Sequence, residues 1–314
     1  MQIWRSLDEV PGDLGPTVVV IGNFDGVHLG HQRVVREARA AADAEGWPVV
    51  AVTFDPHPMA VLRPEHAPTA LTDLETRADL LHDAGVDDVL ALPFDRATAA
   101  WTPDEFAERV LAGALHAGLV VVGANFRYGA KAAGDVVTLT ASGTRLGFRA
   151  LGLPLDGGPQ VWSSTYIRTC LAAGDVAGAA EALGRPFAVR GVVVRGDQRG
   201  RELGFPTANV PTRALVAAPA DGVYAGWLRR LDTDERYPAA ISVGTNPTFD
   251  GVRDRRVESY VLDRDDLELY DVEVEVSFVD RIRGMVRFDG VDALVATMHD
   301  DVARAHQILD PARP

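Results

Sequence analysis

Cysteine is nearly absent, and its shortage removes whole classes of chemistry. Cys170 is the single cysteine among 314 residues, so neither an internal disulfide framework nor a cysteine-ligated zinc cluster can form. Lysine is as scarce. Lys131 is the only one, and it sits in no G-x-x-x-x-G-K-[ST] run, which excludes a P-loop. Positive charge is in deficit too: the formal net charge is −14, the wrong sign for a protein that works on nucleic acid through a basic field. No stretch approaches the roughly 18–20 apolar residues that span a bilayer. The first fifteen residues carry acids and a proline and lack the apolar centre of a signal peptide. The expected home is a reducing cytoplasm, with no nucleic-acid and no membrane partner. No G-x-G-x-x-G follows the first strand, and the H-R-D and D-F-G signatures of protein kinases are missing.

What is present is a globular composition, 47% hydrophobic and 24% charged, long enough for two domains. Thr17 to Phe24 is a continuous, mostly β-branched run, the pattern of a strand buried on both faces of a parallel sheet. A loop follows, then a helix over 32–45 with Val34, Val35, Ala38, Ala41 and Ala42 on one side. Strands are expected at 48–54, 88–92 and 119–123, and helices at 74–84 and 102–113. The second of these helices opens with Thr102-Pro-Asp-Glu, a cap, a proline at the first helical position and two acids in the first turn. The alternation predicts a doubly wound α/β sheet. The rhythm changes near residue 185. Helix over 165–183, with a break near Gly174, gives way to short strands at 188–194, 222–229, 239–243, 256–262 and 271–279, and to a closing helix over 291–308. That predicts an antiparallel barrel of about six strands. Two domains follow, 1–185 and 186–314.

In an open α/β sheet ligands bind at the carboxyl ends of the strands. The loop after the first strand carries His28 and His31 just before a helix, where free N–H groups and the helix dipole favour an anion. Two imidazoles there suit phosphate chemistry, each donating a hydrogen bond as charge develops. Gly30 lets the backbone approach a ligand. A surface or capping role for the pair, or a three-histidine zinc site with His57, are the competing readings of the residues alone; the helix-end setting favours an anion over a cation.

The stretch Gly22-Asn-Phe-Asp-Gly-Val-His-Leu-Gly-His31 resembles the H-x-G-H signature of nucleotidylyltransferases. Its companions, Phe54-Asp-Pro-His-Pro58, Val122-Gly-Ala-Asn-Phe-Arg-Tyr-Gly129 and Ser163-Ser-Thr-Tyr-Ile-Arg168, occur in the order of the adenylyltransferase half of the bacterial bifunctional riboflavin kinase/FMN adenylyltransferases. The resemblance continues to residue 310. It implies a Rossmann-like first domain that joins FMN to ATP, giving FAD and pyrophosphate, with Mg²⁺ accompanying the ATP. His28 and His31 would be catalytic. Gly22, Asn23, Phe24, Asp25, Gly30, Ser164, Thr165 and Arg168 would hold ATP. Phe54, Pro56, Pro58, Asn125 and Tyr128 would bind flavin. One departure is Val161, where the family often has a basic residue that would help hold the triphosphate.

The second half has its own glycine-dense stretch, Arg195 to Asn209, ending Gly-Phe-Pro-Thr-Ala-Asn. Glycines let backbone N–H groups converge on phosphate. Thr207 and Asn209 stand two apart, hence on one face of an extended segment, and offer hard oxygens suited to Mg²⁺. Gly-Phe-Pro-Thr-Ala-Asn is similar to the riboflavin kinase signature of the same family. That resemblance implies a six-stranded barrel with Gly200, Gly204, Thr207 and Asn209 at ATP and metal. Glu258 would be the base that activates riboflavin, and Arg287, with Phe288 and the last helix, would cover the flavin. Asp271 stands where the family usually has glycine. The expected function is riboflavin to FMN to FAD, with riboflavin, FMN and ATP as the small-molecule partners. An adenylyltransferase with a purely regulatory barrel, and a flavin carrier without turnover, are the alternatives. The oligomeric state is left open, a homo-oligomer included.

Overall fold

Thr17–Ile21 is shielded from solvent along its whole length and takes the interior place its composition predicts, as strand β2 of a parallel sheet. The computed structural model describes residues 1–154, 162–196, 204–211, 216–247 and 253–310. The chain divides into two units, Met1–Ser163 and Ser164–Pro314.

In the first unit β1 (Ile3–Trp4), β2, β3 (Val49–Asp55), β4 (Asp88–Pro93), β5 (Ala117–Gly123) and β6 (Arg149–Leu153) form one parallel sheet in the order β1-β4-β3-β2-β5-β6. Between them run α1 (Leu29–Glu45), α2 (Pro58–Leu62), α3 (Leu74–Asp83), α4 (Pro103–Phe106) and α5 (Val136–Leu146). The two faces of β2 divide the core. Val18 and Val20 pack with Val35, Ala38 and Ala42 of α1 and with Ala78 and Leu81 of α3. Val19 and Ile21 pack with Phe106 of α4 and Leu139 of α5. Helices therefore cover both faces, as the alternating sequence predicts. From β2 the chain returns to β3 on one side, whereas β5 flanks β2 on the other. The carboxyl end of β2 is thus the crevice where such sheets bind ligands.

The first unit also differs in detail from the sequence-based expectation. The helix opening at Thr102 keeps its threonine cap and capping box, but after Phe106 it widens into a π-helical stretch, Ala107–Ala114. The amphipathic helix α5 and the edge strands β1 and β6 have no strong sequence signal: β6 reads Arg-Ala-Leu-Gly-Leu and is only partly buried.

In the second unit the predicted glycine break separates α6 (Ser164–Ala173) from α7 (Val176–Leu183), with Gly174 at φ +77°. Six strands follow: β7 (Phe187–Val192), β8 (Thr207–Pro211), β9 (Gly222–Arg230), β10 (Arg236–Pro247), β11 (Arg253–Val261) and β12 (Glu273–Gly284). They form one antiparallel sheet, ordered β7-β12-β9-β10-β11-β8 and curled into a half-barrel. An isolated bridge between Val194 and Asn209 links the segments at its two edges. Inside lie Val189, Val210, Tyr224, Ile241, Val257, Val276 and Phe278. The closing helix α8 (Val291–Leu309) sets Ala305 and Leu309 against Ala225, Ala240 and Leu262. Arg283 of β12 grips Asp301 of α8 through Nε at 2.8 Å and Nη2 at 2.7 Å. The sixth strand, β8, begins at the end of the stretch whose glycines read as loop. Asp271 takes φ +61°, the left-handed conformation that glycine adopts freely and that aspartate tolerates better than most residues.

Candidate functional site

The loop joining β2 to α1 is wound tightly. Phe24 (φ +48°), Gly26 (+81°) and Val27 (+41°) all lie in the left-handed region, which is strained for a β-branched valine. Buried hydrogen bonds hold this conformation. Asp25, 2% exposed, accepts from the Leu71 amide at 2.8 Å and the Thr72 amide at 3.1 Å. The Gly26 amide donates to Thr72 Oγ1 at 3.3 Å, and Gln32 Nε2 donates to the Val27 carbonyl at 2.9 Å. Thr53 Oγ1 donates to the Asn23 carbonyl at 3.1 Å.

The loop delivers His28 to the N-cap of α1 and His31 to its first turn. Their rings stack with centroids 3.6 Å apart, and the edge of Phe24 closes on His31 at 5.2 Å. A Cβ on Gly30 would come within 3.1 Å of the His28 ring, close enough that the ring would have to shift by a few tenths of an ångström. Burial pushes the His31 imidazole well below its ordinary pKa, and positive charge on His28 and on Arg77 pushes the same way. His31 is therefore neutral near pH 7, a donor through a single N–H rather than a cation. The paired donors meet the helix N-terminus, an arrangement suited to phosphoryl oxygens.

Arg77 has little sequence signal beyond its place on the buried face of α3, beside Leu74, Ala78 and Leu81. It is 5% exposed. Its Nη1 donates to Thr53 Oγ1 at 3.1 Å and its Nη2 to the Thr72 carbonyl at 3.3 Å. It thereby ties together the two threonines that hold the loop. Burial lowers its pKa.

Beside the loop a cavity of about 920 Å³ opens, lined by Asn23, Phe54, Pro58 and Tyr128 among others. Phe94, Trp101, Phe106 and Phe126 add aromatic wall that the sequence reading did not include. Phe126 stacks on Tyr128 with centroids 5.4 Å apart, and Phe54 meets Phe94 edge-on at 5.6 Å. Such walls suit a flat aromatic ligand. Pro56 and Asn125 are exposed and are not among its lining residues. Lys131 lines the cavity at φ +55°. Among the described residues no group of three or more His, Cys, Asp or Glu side chains is placed to hold a metal ion.

In the second unit Ser164, Thr165 and Arg168 lie in the first turns of α6. Antiparallel pairing sets Glu258 of β11 opposite Asn209 of β8 on one side and opposite Ser242 of β10 on the other. Directly opposed residues share a sheet face, and Thr207, two before Asn209, shares it too. Asn209 Nδ2 donates to the Thr207 carbonyl at 3.1 Å and to Thr207 Oγ1 at 3.3 Å. That turns the amide's NH₂ end into the strand and leaves its oxygen as the other end. A Cβ on Gly196 would lie 2.7 Å from this amide, so the backbone at Gly196 passes directly over it. Thr207, Asn209, Gly204 and Gly196 line a cavity of about 320 Å³ together with Arg264 and Tyr270. Two hard oxygens beside a carboxylate are a donor set that fits Mg²⁺ carried in with ATP. Arg283 also places its guanidinium 5.8 Å from the Phe288 ring, while Arg287 is exposed. Gly200 and Val161 lie outside the described residues.

Comparison with known proteins covers both units. The FAD synthetase family model matches residues 11–156 and the riboflavin kinase family model residues 183–309. A bifunctional riboflavin kinase/FMN adenylyltransferase of Escherichia coli strain K12 is 36% identical, over 95% of this chain and 94% of its own. The protein of the same description from Haemophilus influenzae is 35% identical, over 97% and 98%. A solved structure described as a macrolide-efflux protein from Streptococcus pneumoniae superposes with a TM-score of 0.86 at 32% identity, covering 97% of this chain and 98% of that one. Among the described residues no helix is long and apolar enough to cross a membrane.

Proposed function

The chain belongs to the bifunctional riboflavin kinase/FMN adenylyltransferase family, and from that premise we infer which of its residues perform each reaction. The enzyme phosphorylates riboflavin to FMN with ATP and adenylylates FMN to FAD, releasing pyrophosphate. The residue assignment is carried by one observation: each unit presents its own phosphate-handling side chains, the stacked His28–His31 pair in the first and the opposed Glu258 and Asn209 in the second.

In the kinase reaction the Glu258 carboxylate accepts the proton of the terminal ribityl hydroxyl as that oxygen attacks the γ-phosphorus. The β,γ-bridging oxygen departs with ADP. Thr207 Oγ1 and Asn209 Oδ1 would hold Mg²⁺, which when bound neutralises charge on the ATP phosphates. Gly204 and Gly200 belong to the glycine-rich segment assigned to the nucleotide. Arg287, Phe288 and α8 cover the flavin.

In the adenylylation reaction a phosphate oxygen of FMN attacks the α-phosphorus of ATP and pyrophosphate leaves, with no covalent enzyme intermediate. His28 and His31 donate hydrogen bonds to phosphate oxygens as charge grows on them. Gly30 and Gly22 keep side chains out of the nucleotide's path. Ser164, Thr165 and Arg168 hold the β- and γ-phosphates, hydroxyls and a guanidinium fork doing what lysine does elsewhere. Phe24 and Asp25 act by shaping the loop. The flavin ring lies in the aromatic cavity of Phe54, Pro58 and Tyr128, with Pro56 and Asn125 at its margin. The acidic charge and the buried free thiol of Cys170 support a cytoplasmic enzyme with no nucleic-acid or membrane partner.

The test is a chromatographic time course with purified protein, riboflavin and Mg-ATP that resolves FMN from FAD. FMN should appear first and FAD second. FAD formation from added FMN alone, with riboflavin left untouched, would reduce the half-barrel to a regulatory module. Flavin binding without turnover would make the protein a carrier.

A further inference from the structure

His57 and Asn23 meet at the edge of the aromatic cavity, and elementary hydrogen-bond logic fixes more about them than their positions. His57 caps α2: its Nδ1 accepts from the Met59 amide at 3.1 Å. A ring nitrogen that accepts carries no proton, and a neutral imidazole then bears its proton on the other nitrogen. Protonating both nitrogens would set two donors against each other at Met59 and break the cap. His57 Nε2 is therefore an N–H donor. It lies 3.2 Å from Asn23 Nδ2, so as placed a donor faces a donor. A carboxamide has two ends of nearly the same shape and opposite polarity. Only the oxygen end can accept from Nε2–H, so the hydrogen bond at Met59 requires the amide to be turned end for end, with its oxygen toward His57 and its NH₂ group the other way. Asn23 is exposed and lines the cavity of about 920 Å³.

We infer that Asn23 turns its NH₂ group into this cavity as a donor to an acceptor oxygen of the flavin substrate, and that His57 is the positioning residue that fixes the amide in that orientation. The inference rests on the cavity being the FMN site. It also moves Asn23 from the nucleotide set, where the family resemblance placed it, to the flavin side. Asn23 lines the aromatic cavity and precedes His28 by five residues in the same loop. An acceptor oxygen on the ribityl-phosphate arm of FMN suits that place.

The test uses the full chain and steady-state FAD formation from FMN, which reads the adenylylation reaction alone. Asn23→Ala removes the donor, and Asn23→Asp replaces it with an oxygen of the same shape. Both should raise the KM for FMN by about tenfold, the effect of one lost hydrogen bond, while the KM for ATP changes less than about threefold. If the amide oxygen faced the cavity instead, Asn23→Asp would keep an oxygen there and leave the contact with FMN in place. An unchanged KM for FMN in Asn23→Asp overturns the inference. So does a rise in Asn23→Asp with none in Asn23→Ala, which is charge repulsion alone. Imidazole nitrogen NMR of the full chain supplies an independent readout: one histidine should carry its proton on Nε2 and none on Nδ1, a signal lost in His57→Leu. The reverse tautomer at His57 overturns the inference. Phe54→Ala separates the two levels of the argument. If it leaves the KM for FMN unchanged, the cavity is not the FMN site. If it raises the KM while Asn23→Ala does not, the cavity reading stands and the amide inference fails.

Discussion

Glu258 and Asn209 stand directly opposite one another on neighbouring antiparallel strands, β11 and β8. Because paired residues share a face, the register itself puts a carboxylate beside the amide and hydroxyl assigned to Mg-ATP. A one-residue slip of β8 would send Asn209 and Thr207 to the opposite face. Glu258→Gln keeps the shape and removes the base. FMN formation should fall by about 10²–10⁴-fold, the usual worth of a positioned general base. FAD formation from supplied FMN should stay within about twofold, as independent sites require. Both rates come from one chromatographic assay, and a normal kinase rate in the variant would strip Glu258 of its role.

His28→Ala makes the complementary prediction. Removing one of two stacked donors at the N-terminus of α1 should lower FAD formation by about 10²–10³-fold, the scale of a lost transition-state hydrogen bond. Riboflavin phosphorylation should continue and FMN should accumulate. Equal loss of both products would argue against separate sites.

The strands and helices of both units are legible because their periodicities differ and each is buried in the way its period requires. Val18 to Ile21 and Val274 to Phe278 are clear cases, one continuous and one alternating. Much of the site is hidden for physical reasons. Left-handed backbone at Phe24 and Val27 contradicts local preference and is held by Asp25, Thr53 and Thr72, contacts that sequence distance conceals. β8 carries glycine and proline just before it, so it reads as loop until β11 pairs with it. The cavity wall gathers Phe54 from β3, Phe94 and Trp101 from the connection after β4, and Phe126 from the connection after β5, and each alone reads as ordinary core. Arg77 is a charged residue on a buried helical face, the opposite of what an amphipathic pattern predicts.

His31 ties stability to pH. Burial, then the charges of His28 and Arg77, lower its pKa in the folded protein. The unfolded chain titrates this residue near its ordinary value of about 6.5, so below that pH the unfolded state binds the extra proton and gains by it. The contribution of neutral His31 is complete above about pH 6.5 and is lost as the pH falls toward the lower folded value, at no more than about 1.4 kcal/mol per pH unit. His31→Gln should flatten that slope. Urea unfolding of both proteins at about pH 7.5 and about pH 5 measures it, and parallel losses in the two would exclude His31 as the source.

The Arg283–Asp301 pair is the bidentate link between β12 and α8. Asp301 is nearly buried and Arg283 partly so, which places the pair between the exposed and buried extremes. Asp301→Ala leaves the guanidinium without its carboxylate and should destabilise the second unit by about 2 kcal/mol, below the cost for a fully buried pair. Because α8 and Phe288 are assigned to the flavin pocket, the KM for riboflavin should rise while the KM for FMN in FAD formation holds. A thermal melt and the two KM values decide it.

The half-barrel should fold by itself, and where it is cut should matter. Residues 186–314 contain all six strands and α8, and we propose that they make up the kinase domain. Immediately upstream, α7 buries Val176, Ala179, Ala182 and Leu183 within the second unit, and Arg281 of β12 donates to the carbonyl of Ala173 at 3.1 Å at the end of α6. A fragment beginning at 186 loses both and exposes apolar area that α7 covers, at about 25 cal/mol per Å². Both 186–314 and 164–314 should phosphorylate riboflavin, with the longer fragment melting higher by several degrees, as about 1–2 kcal/mol would give for a domain of this size. An insoluble or inert 186–314 beside an active 164–314 would move the domain boundary upstream to the start of α6. Two inert fragments would mean that the kinase needs the first unit to function.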